Sequence, residues 1–250
     1  MLDINNVGVS FGGVRALNEV SFKMPETGIS ALIGPNGAGK TTLFNVITGF
    51  VQPTDGTVKF AGTDITPYKS EQVFMSGISR TFQNLNIIPE LTLRENMYLG
   101  FIGKEKPSSL KTLFRLNRGY WKDAGRRIEE CLDFVGVTEY AEMLPGSVPY
   151  GVLKNFELGR AVMSSPKMLL LDEPAAGLNL AEKENLAKMV KKVSENNVCI
   201  LMVEHDMQFI SSLADYVVCL NFGEVIARGT YAEIRENKDV LKAYLGDEDA

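Results

Sequence analysis

The run Gly34-Pro35-Asn36-Gly37-Ala38-Gly39-Lys40-Thr41 stands between the apolar stretch ISALIG and a segment of helical periodicity. The spacing G-x-x-x-x-G-K-[ST] builds a cradle for phosphate. Glycines let the chain turn sharply, so that backbone amides of Asn36, Gly37, Ala38 and Gly39 turn toward phosphate oxygens, and the following helix start adds a favourable field. Lys40 is expected to reach the β and γ phosphates, Thr41 to ligate Mg2+, and Thr42 to add a phosphate contact. A plain connecting turn does not require all of these fixed positions at once.

A second group lies more than a hundred residues on. The apolar run MLLL at 168–171 ends in Asp172-Glu173. A buried strand would hold Asp172 to contact Mg2+, directly or through water, while Glu173 orients and polarises a water aimed at the γ-phosphate. Alone, Asp-Glu-Pro is also a polar strand exit; joined to the phosphate loop it completes a Mg-nucleotide site. His205, the only histidine, follows the apolar run VCILMVE. With no His or Cys at ligand spacing, zinc is a poor fit, and a strand-end imidazole that hydrogen-bonds the γ-phosphate is the specific alternative to an ordinary polar residue. Gln83, in SRTFQN, can offer its amide to Mg2+ or to the attacking water.

These side chains need strands to carry them. Strand-like runs LDINNVGVSF, FKM, ISALIG and TVKFAG lie before residue 63, and MLLLD, VCILMVE, DYVVCL and EVIARGT after Pro166. Between about 84 and 157 the pattern turns helical, with candidates at about 92–100 and 120–135 around the mixed stretch GKEKPSSLKTLFRLNRG. The expected organisation is a core of 1–83 and 158–250 with a mostly helical subdomain inserted at about 84–157.

Composition narrows the function. A chain of 250 residues, 45% apolar and 23% charged, buries a core without disulfide or metal staples. Its 26 basic and 31 acidic residues give a net charge of −5, which argues against a surface built for nucleic acid or anionic lipid. Cys131, Cys199 and Cys219 lack ligand spacing and are expected to be buried reduced thiols. No signal-peptide pattern opens the chain, and the runs MLLL and VCILMV are far too short to cross a bilayer.

Together these motifs resemble the ATP-binding subunit of ABC transporters, and the match runs across nearly the whole chain. It comprises the phosphate loop, Gln83, LLLDEP at 169–174, the segment Ala176-Gly177-Leu178-Asn179, and His205. The resemblance implies an α/β fold: a P-loop NTPase core of the ABC ATPase type with an antiparallel β subdomain and an inserted helical subdomain. It also places Phe11 against adenine, where a core position is the competing account. FGGVRAL at 11–17, GISRTFQN at 77–84, PAAGLN at 174–179, VEHDM at 203–207, AYLG at 243–246 and the extended region after Leu99 look like the branched-chain amino-acid uptake subgroup.

One segment departs from the family pattern. The signature sequence, normally Pro-Tyr-Gly-Gln in this subgroup, reads Pro149-Tyr150-Gly151-Val152. Gly151 keeps close backbone approach to phosphate, but Val152 cannot supply the glutamine's hydrogen bonds. The family resemblance implies two ATP-binding subunits that sandwich two MgATP molecules, each signature completing the other chain's site, so Val152 puts the partner's site in doubt. A helix start packed only against its own domain is the competing account. Implied partners are two transmembrane permease subunits, a second, homologous but different ATP-binding chain and, indirectly, an extracytoplasmic solute-binding protein, with no nucleic acid. The implied location is the cytoplasmic face of the cell membrane. The rival from another class is a nucleotide-binding regulatory or structural subunit with weak ATPase activity. A GTPase is disfavoured because no Asn-Lys-x-Asp is present.

Overall fold

Three strands carry no polar face at all. β3 (Ile29–Ile33), β7 (Met168–Asp172) and β8 (Cys199–Val203) are buried at every position, the pattern of parallel strands covered on both sides. In the computed structural model, which describes residues 1–102 and 118–245, they form the centre of a six-stranded sheet of order β10-β9-β3-β8-β7-β6. β6 (Ile78–Arg80), β7, β8, β3 and β9 (Tyr216–Asn221) run parallel, and β10 (Glu224–Gly229) pairs antiparallel with β9. A second, antiparallel sheet of order β2-β1-β4-β5 is built from β1 (Leu2–Phe11), β2 (Val14–Lys23), β4 (Asp55–Phe60) and β5 (Thr63–Asp64).

Because successive strand residues point to opposite faces, the central strands feed two cores. Leu32, Leu170, Leu201 and Val218 face the antiparallel sheet and α1 (Lys40–Ile47). Ala31, Leu171, Ile200 and Cys219 face a helical layer. This layer contains α3 (Leu93–Ile102), α4 (Arg118–Phe134), α5 (Tyr150–Met163) and α6 (Leu180–Glu195). α2 (Ser70–Ser76) precedes β6, α7 (Met207–Leu213) follows β8, and α8 (Tyr231–Glu236) and α9 (Lys238–Leu245) close the described chain.

The expected strands and the two helices of the insertion are present. FKM proves to be the end of a ten-residue strand, β2, whose first part was not expected. There Asn18-Glu19 interrupts the alternation, Glu19 adopts φ 50°, and the β1–β2 register shifts along the pair. The boundary expected at 157 falls inside α5, which runs unbroken to Met163. Residues 103–117 of the mixed stretch, with that part of the extended region after Leu99, and Gly246 of AYLG lie outside the described residues. All three cysteines are free and buried, and burial pushes the Cys131 thiol up to about 12 and those of Cys199 and Cys219 to about 11. Such thiols are poor nucleophiles and serve as small apolar fillers. Among the described residues no helix is long and apolar enough to cross a membrane.

Candidate active site

The C-terminal edge of the parallel sheet is where strand ends open into loops, and each chemical group predicted for the core sits there. β3 runs directly into the phosphate loop, which reaches α1 through Gly39 at φ 103°. Two of its glycines are required by packing. A Cβ on Gly34 would lie 2.1 Å from the Leu220 carbonyl, and one on Gly39 would lie 2.8 Å from the Ala16 carbonyl. Gly37 differs: with φ 81° it needs the left-handed region, yet a Cβ there would meet nothing within 4 Å. The loop is thus wedged at both ends and open in the middle, where Asn36 and Gly37 are exposed.

Lys40 is buried, and its ammonium donates to the carbonyls of Gly34 (2.7 Å) and Pro35 (2.9 Å). Burial pushes its pKa below the ordinary lysine range, with the negative charge of Glu173 acting in the opposite sense. The lysine therefore closes the loop on itself and lies within the field of the acidic group across the site. Thr41 is exposed at the first turn of α1, and Thr42 is partly buried.

Glu173 follows β7 in a left-handed conformation, φ 50°, held by its amide donating to Val203 O at 2.9 Å. A non-glycine residue in this region is strained and needs surrounding structure to hold it. Both carboxylate oxygens are engaged. Gln83 Nε2 donates to Oε2 at 2.9 Å, and His205 Nε2 lies 3.1 Å from Oε1. A carboxylate only accepts, so the imidazole donates through Nε2–H. Three residues picked out separately from the sequence, at positions 83, 173 and 205, thus form one hydrogen-bonded cluster on three different loops.

Several residues that organise this cluster were not singled out in the sequence. Buried Glu204 accepts the Ala175 amide at 2.7 Å through Oε1 and the His205 amide at 2.9 Å through Oε2, so it ties the turn after Glu173 to the turn carrying His205. Asp206 caps α7 and pairs with Lys183 at 2.6 Å. That lysine hydrogen bond holds the Asp206 carboxyl below its usual range. On the other side, buried Lys154 and Glu157 of α5 reach the backbone around Gln83. Lys154 Nζ donates to Gln83 O at 3.4 Å and Glu157 Oε1 accepts the Phe82 amide at 3.3 Å. Burial pushes the Glu157 carboxyl up. The legible signal was a lysine and a glutamate three apart on one helix face.

Asp172 is 6% exposed, and its Oδ2 accepts from Arg80 Nη2 at 2.7 Å. Among the described residues no group of three or more His, Cys, Asp or Glu could hold a metal. One carboxylate and one threonine hydroxyl are hard oxygen donors, too few for a dedicated cage. They suit Mg2+, which keeps waters and is bound by one or two carboxylates together with substrate phosphates. The chemistry of this donor set, the Asp172 carboxylate and the Thr41 hydroxyl, is compatible with that ion.

The signature segment is not part of this cluster. Tyr150 Oη donates to Ala176 O at 3.4 Å, and Gly177, φ 78°, has room for hydrogen only, since a Cβ would lie 3.0 Å from the Tyr150 ring. A Cβ on Gly151 would lie 2.3 Å from Glu182 Oε1. Val152 is partly buried against the helical core. Pro149 is the N-cap of α5. Tyr150 and Gly151 thus pack on their own chain's 174–182 segment. Phe11, at the end of β1, is 52% exposed, so core packing does not account for it.

Comparison with known proteins accords with this geometry. A family model described as ABC transporter matches residues 17–176. The chain belongs to the ABC transporter family. A second model, described as branched-chain amino acid ATP-binding cassette transporter, matches residues 224–250. The high-affinity branched-chain amino acid transport ATP-binding protein BraF of Pseudomonas aeruginosa is 39% identical over 250 residues, covering 99% of this chain and 98% of that protein. LivG of Escherichia coli, of the same description, is 35% identical with the same coverage. Among solved structures, a nucleotide-free ATP-binding cassette from an ABC transporter superposes with a TM-score of 0.85 at 30% identity and 99% coverage of both chains. The ADP conformation of such a cassette gives 0.84 at 30% identity, again over 99% of each. The fold class that the resemblance implies, an α/β ABC-type ATPase core with an antiparallel β subdomain and an inserted helical subdomain, is that of these structural neighbours.

Proposed function

We propose that this ABC transporter chain hydrolyses ATP to ADP and phosphate and so drives a membrane importer for branched-chain or other hydrophobic amino acids. The observation that carries the hydrolytic reading is the clamping of both Glu173 oxygens by Gln83 and His205. A carboxylate fixed in this way can align a water and accept its proton, and Lys40 and the amides around Gly37 supply positive field for the transferring phosphate. Mg2+, held by Asp172 and Thr41, would neutralise charge building up on the phosphates. Phe11, half exposed on the neighbouring sheet, is the proposed adenine platform.

The transported class rests on full-length similarity to BraF and LivG, and on the C-terminal match at 224–250. In this reading the chain works at the cytoplasmic face, bound to two permease subunits and paired with a second, homologous ATP-binding chain, and an extracytoplasmic solute-binding protein delivers the amino acid. Pro149, Tyr150 and Gly151 serve the partner's nucleotide. The inserted helical layer, joined to Gln83 through Lys154 and Glu157, carries nucleotide state toward the permease. A regulatory subunit with weak ATPase activity has less support, because such a role does not need Gln83 and His205 both bonded to Glu173.

The test is phosphate release by the native membrane complex in proteoliposomes. ATP hydrolysis and labelled leucine uptake should rise together when the solute-binding protein and leucine are supplied. Uptake of an unrelated solute, with leucine inert, would overturn the substrate class, and absence of phosphate release would overturn the enzyme.

A further inference from the structure

Arg80 is the least explained charge in the molecule. It ends β6, three residues before Gln83, and its side chain is 7% exposed. Nη2 donates to Asp172 Oδ2 at 2.7 Å, and Nη1 donates to Asn45 Oδ1 at 2.7 Å and Thr48 Oγ1 at 3.3 Å. The guanidinium lies near two rings, 5.5 Å from the Phe44 centroid and 5.0 Å from that of Phe82. Its Nε is buried and has no hydrogen-bond partner among the described residues. A buried ion pair with an unmet donor is weak evidence for stability, since desolvation opposes the attraction and apolar replacements are often as stable. The contacts do something more specific. They join the helix after the phosphate loop, the acidic end of β7 and the strand leading to Gln83 through one rigid, planar group.

We infer that Arg80 is a positioning residue that neutralises and orients Asp172, so that the site takes up Mg2+ together with nucleotide phosphates and not beforehand. With Oδ2 bonded to Arg80, Oδ1 is the less encumbered oxygen for a metal. The positive charge beside it opposes a divalent cation until phosphate charge arrives to offset both. The two rings and Asn45 prevent the guanidinium from swinging away, which a lysine ammonium could not reproduce with one flexible stem. This inference rests on the MgATP reading of the site.

The experiment uses the full-length chain without nucleotide and titrates Mn2+, a spectroscopic stand-in for Mg2+, by electron paramagnetic resonance. Arg80→Gln removes the opposing charge and should tighten nucleotide-free Mn2+ binding about tenfold, a gain that Asp172→Asn in the same background abolishes. ATP affinity measured in excess chelator should stay within about twofold, because Arg80 faces the acid and not the phosphates. Arg80→Lys keeps the charge, so nucleotide-free Mn2+ binding stays weak. It loses the fork, however, so the Mg2+ concentration that half-saturates binding in the presence of ATP should rise about threefold or more. The lysine variant carries the test if the glutamine variant melts early. Unchanged metal titrations in both folded variants, or an equal loss of metal-free ATP affinity, would overturn the role of Arg80 alone. Failure of the unmodified chain to take up Mn2+ with ATP would instead overturn the nucleotide reading, and this inference with it.

Discussion

The phosphate loop and the signature segment both set a glycine beside the start of a helix, and the two glycines are kept for opposite reasons. At Gly37 the missing Cβ leaves open space, whereas at Gly151 its place is taken by the Glu182 carboxylate of the same chain. The first glycine leaves room for something the protein binds. The second leaves room for the protein itself, because Glu182 closes the capping box of α6 with Asn179 and cannot move aside without loosening that helix. The contrast extends outward. Around the phosphate loop the reactive side chains touch one another within one chain, as Gln83, Glu173 and His205 do. Around the signature segment, Tyr150 bonds to Ala176, and Val152 faces the core. A site that looks complete in one chain and a segment that looks spent on its own packing should respond differently to substitution.

The largest difference is expected at Glu173. Glu173→Gln keeps the volume but replaces one accepting oxygen with an NH2 and removes the basic oxygen, so ATP should still bind while turnover falls about 100-fold or more. The measurement belongs in the assembled transporter, where weak subunit pairing cannot mimic slow chemistry. A variant that turns over at the wild-type rate would remove Glu173 from the reaction and leave its clamp a structural feature.

Next comes Lys40. Its ammonium now rests on Gly34 and Pro35 carbonyls, and phosphate would offer charge-assisted partners in their place. Lys40→Ala should weaken MgATP binding by about tenfold to a hundredfold. Calorimetric titration of a folded variant with unaltered affinity would break the assignment of the loop.

How much of this was readable in advance follows from contact range. The phosphate loop, the fully buried strands and the acidic strand end are local patterns, and each lies where its spacing placed it. Gln83 and His205 carry little signal alone, and the family resemblance adds most of the weight to them. The supporting charges were not found, because Arg80 meets Asp172 across 92 positions and Glu157 meets Phe82 across 75, and one sequence gives no sign of such pairs. Most of β2 is not marked as a strand by its sequence, because Asn18-Glu19 breaks the alternation at a point where the backbone itself departs from extended form. The boundary expected at about 157 falls inside α5 because the helix runs from Tyr150 to Met163 without a break that a sequence pattern would mark.

A smaller effect separates the two glycines directly. Gly151→Ala forces the Glu182 carboxylate aside and should cost about 1 kcal/mol through the α6 cap, seen as a lower urea midpoint with MgATP affinity of the single chain unchanged. Gly37→Ala meets no clash but needs φ 81°, a conformation that costs an alanine about 1–2 kcal/mol, and its methyl stands where phosphate would approach. It should lose nucleotide affinity as well as stability. If Gly151→Ala also lost single-chain affinity, the signature start would belong to the same site as the phosphate loop, and the contrast between them would fail.

The smallest effect is expected at Val152. The family pattern has glutamine here, and an amide could hydrogen-bond across to a partner's nucleotide. In this chain, however, the valine packs partly buried on the helical core. Val152→Gln therefore has two opposed consequences. It removes some apolar contact and should lower stability by less than about 1 kcal/mol, since a partly exposed long side chain can reach solvent. It also restores a donor and acceptor at the rim of α5, which should raise the rate at the opposite composite site by up to about threefold, a modest gain because backbone amides at the helix start already offer field and donors. Single-turnover hydrolysis in an assembled dimer resolves the two. With Glu173→Gln in this chain, only the partner's site reports, and Val152→Gln is then compared with valine. A gain there, with unaltered nucleotide affinity in the isolated chain, means that α5 reaches across the interface and that valine holds the site below its capacity. No gain means that the segment from Pro149 to Gly151 does all the closing through its backbone, or that this helix start serves its own chain alone.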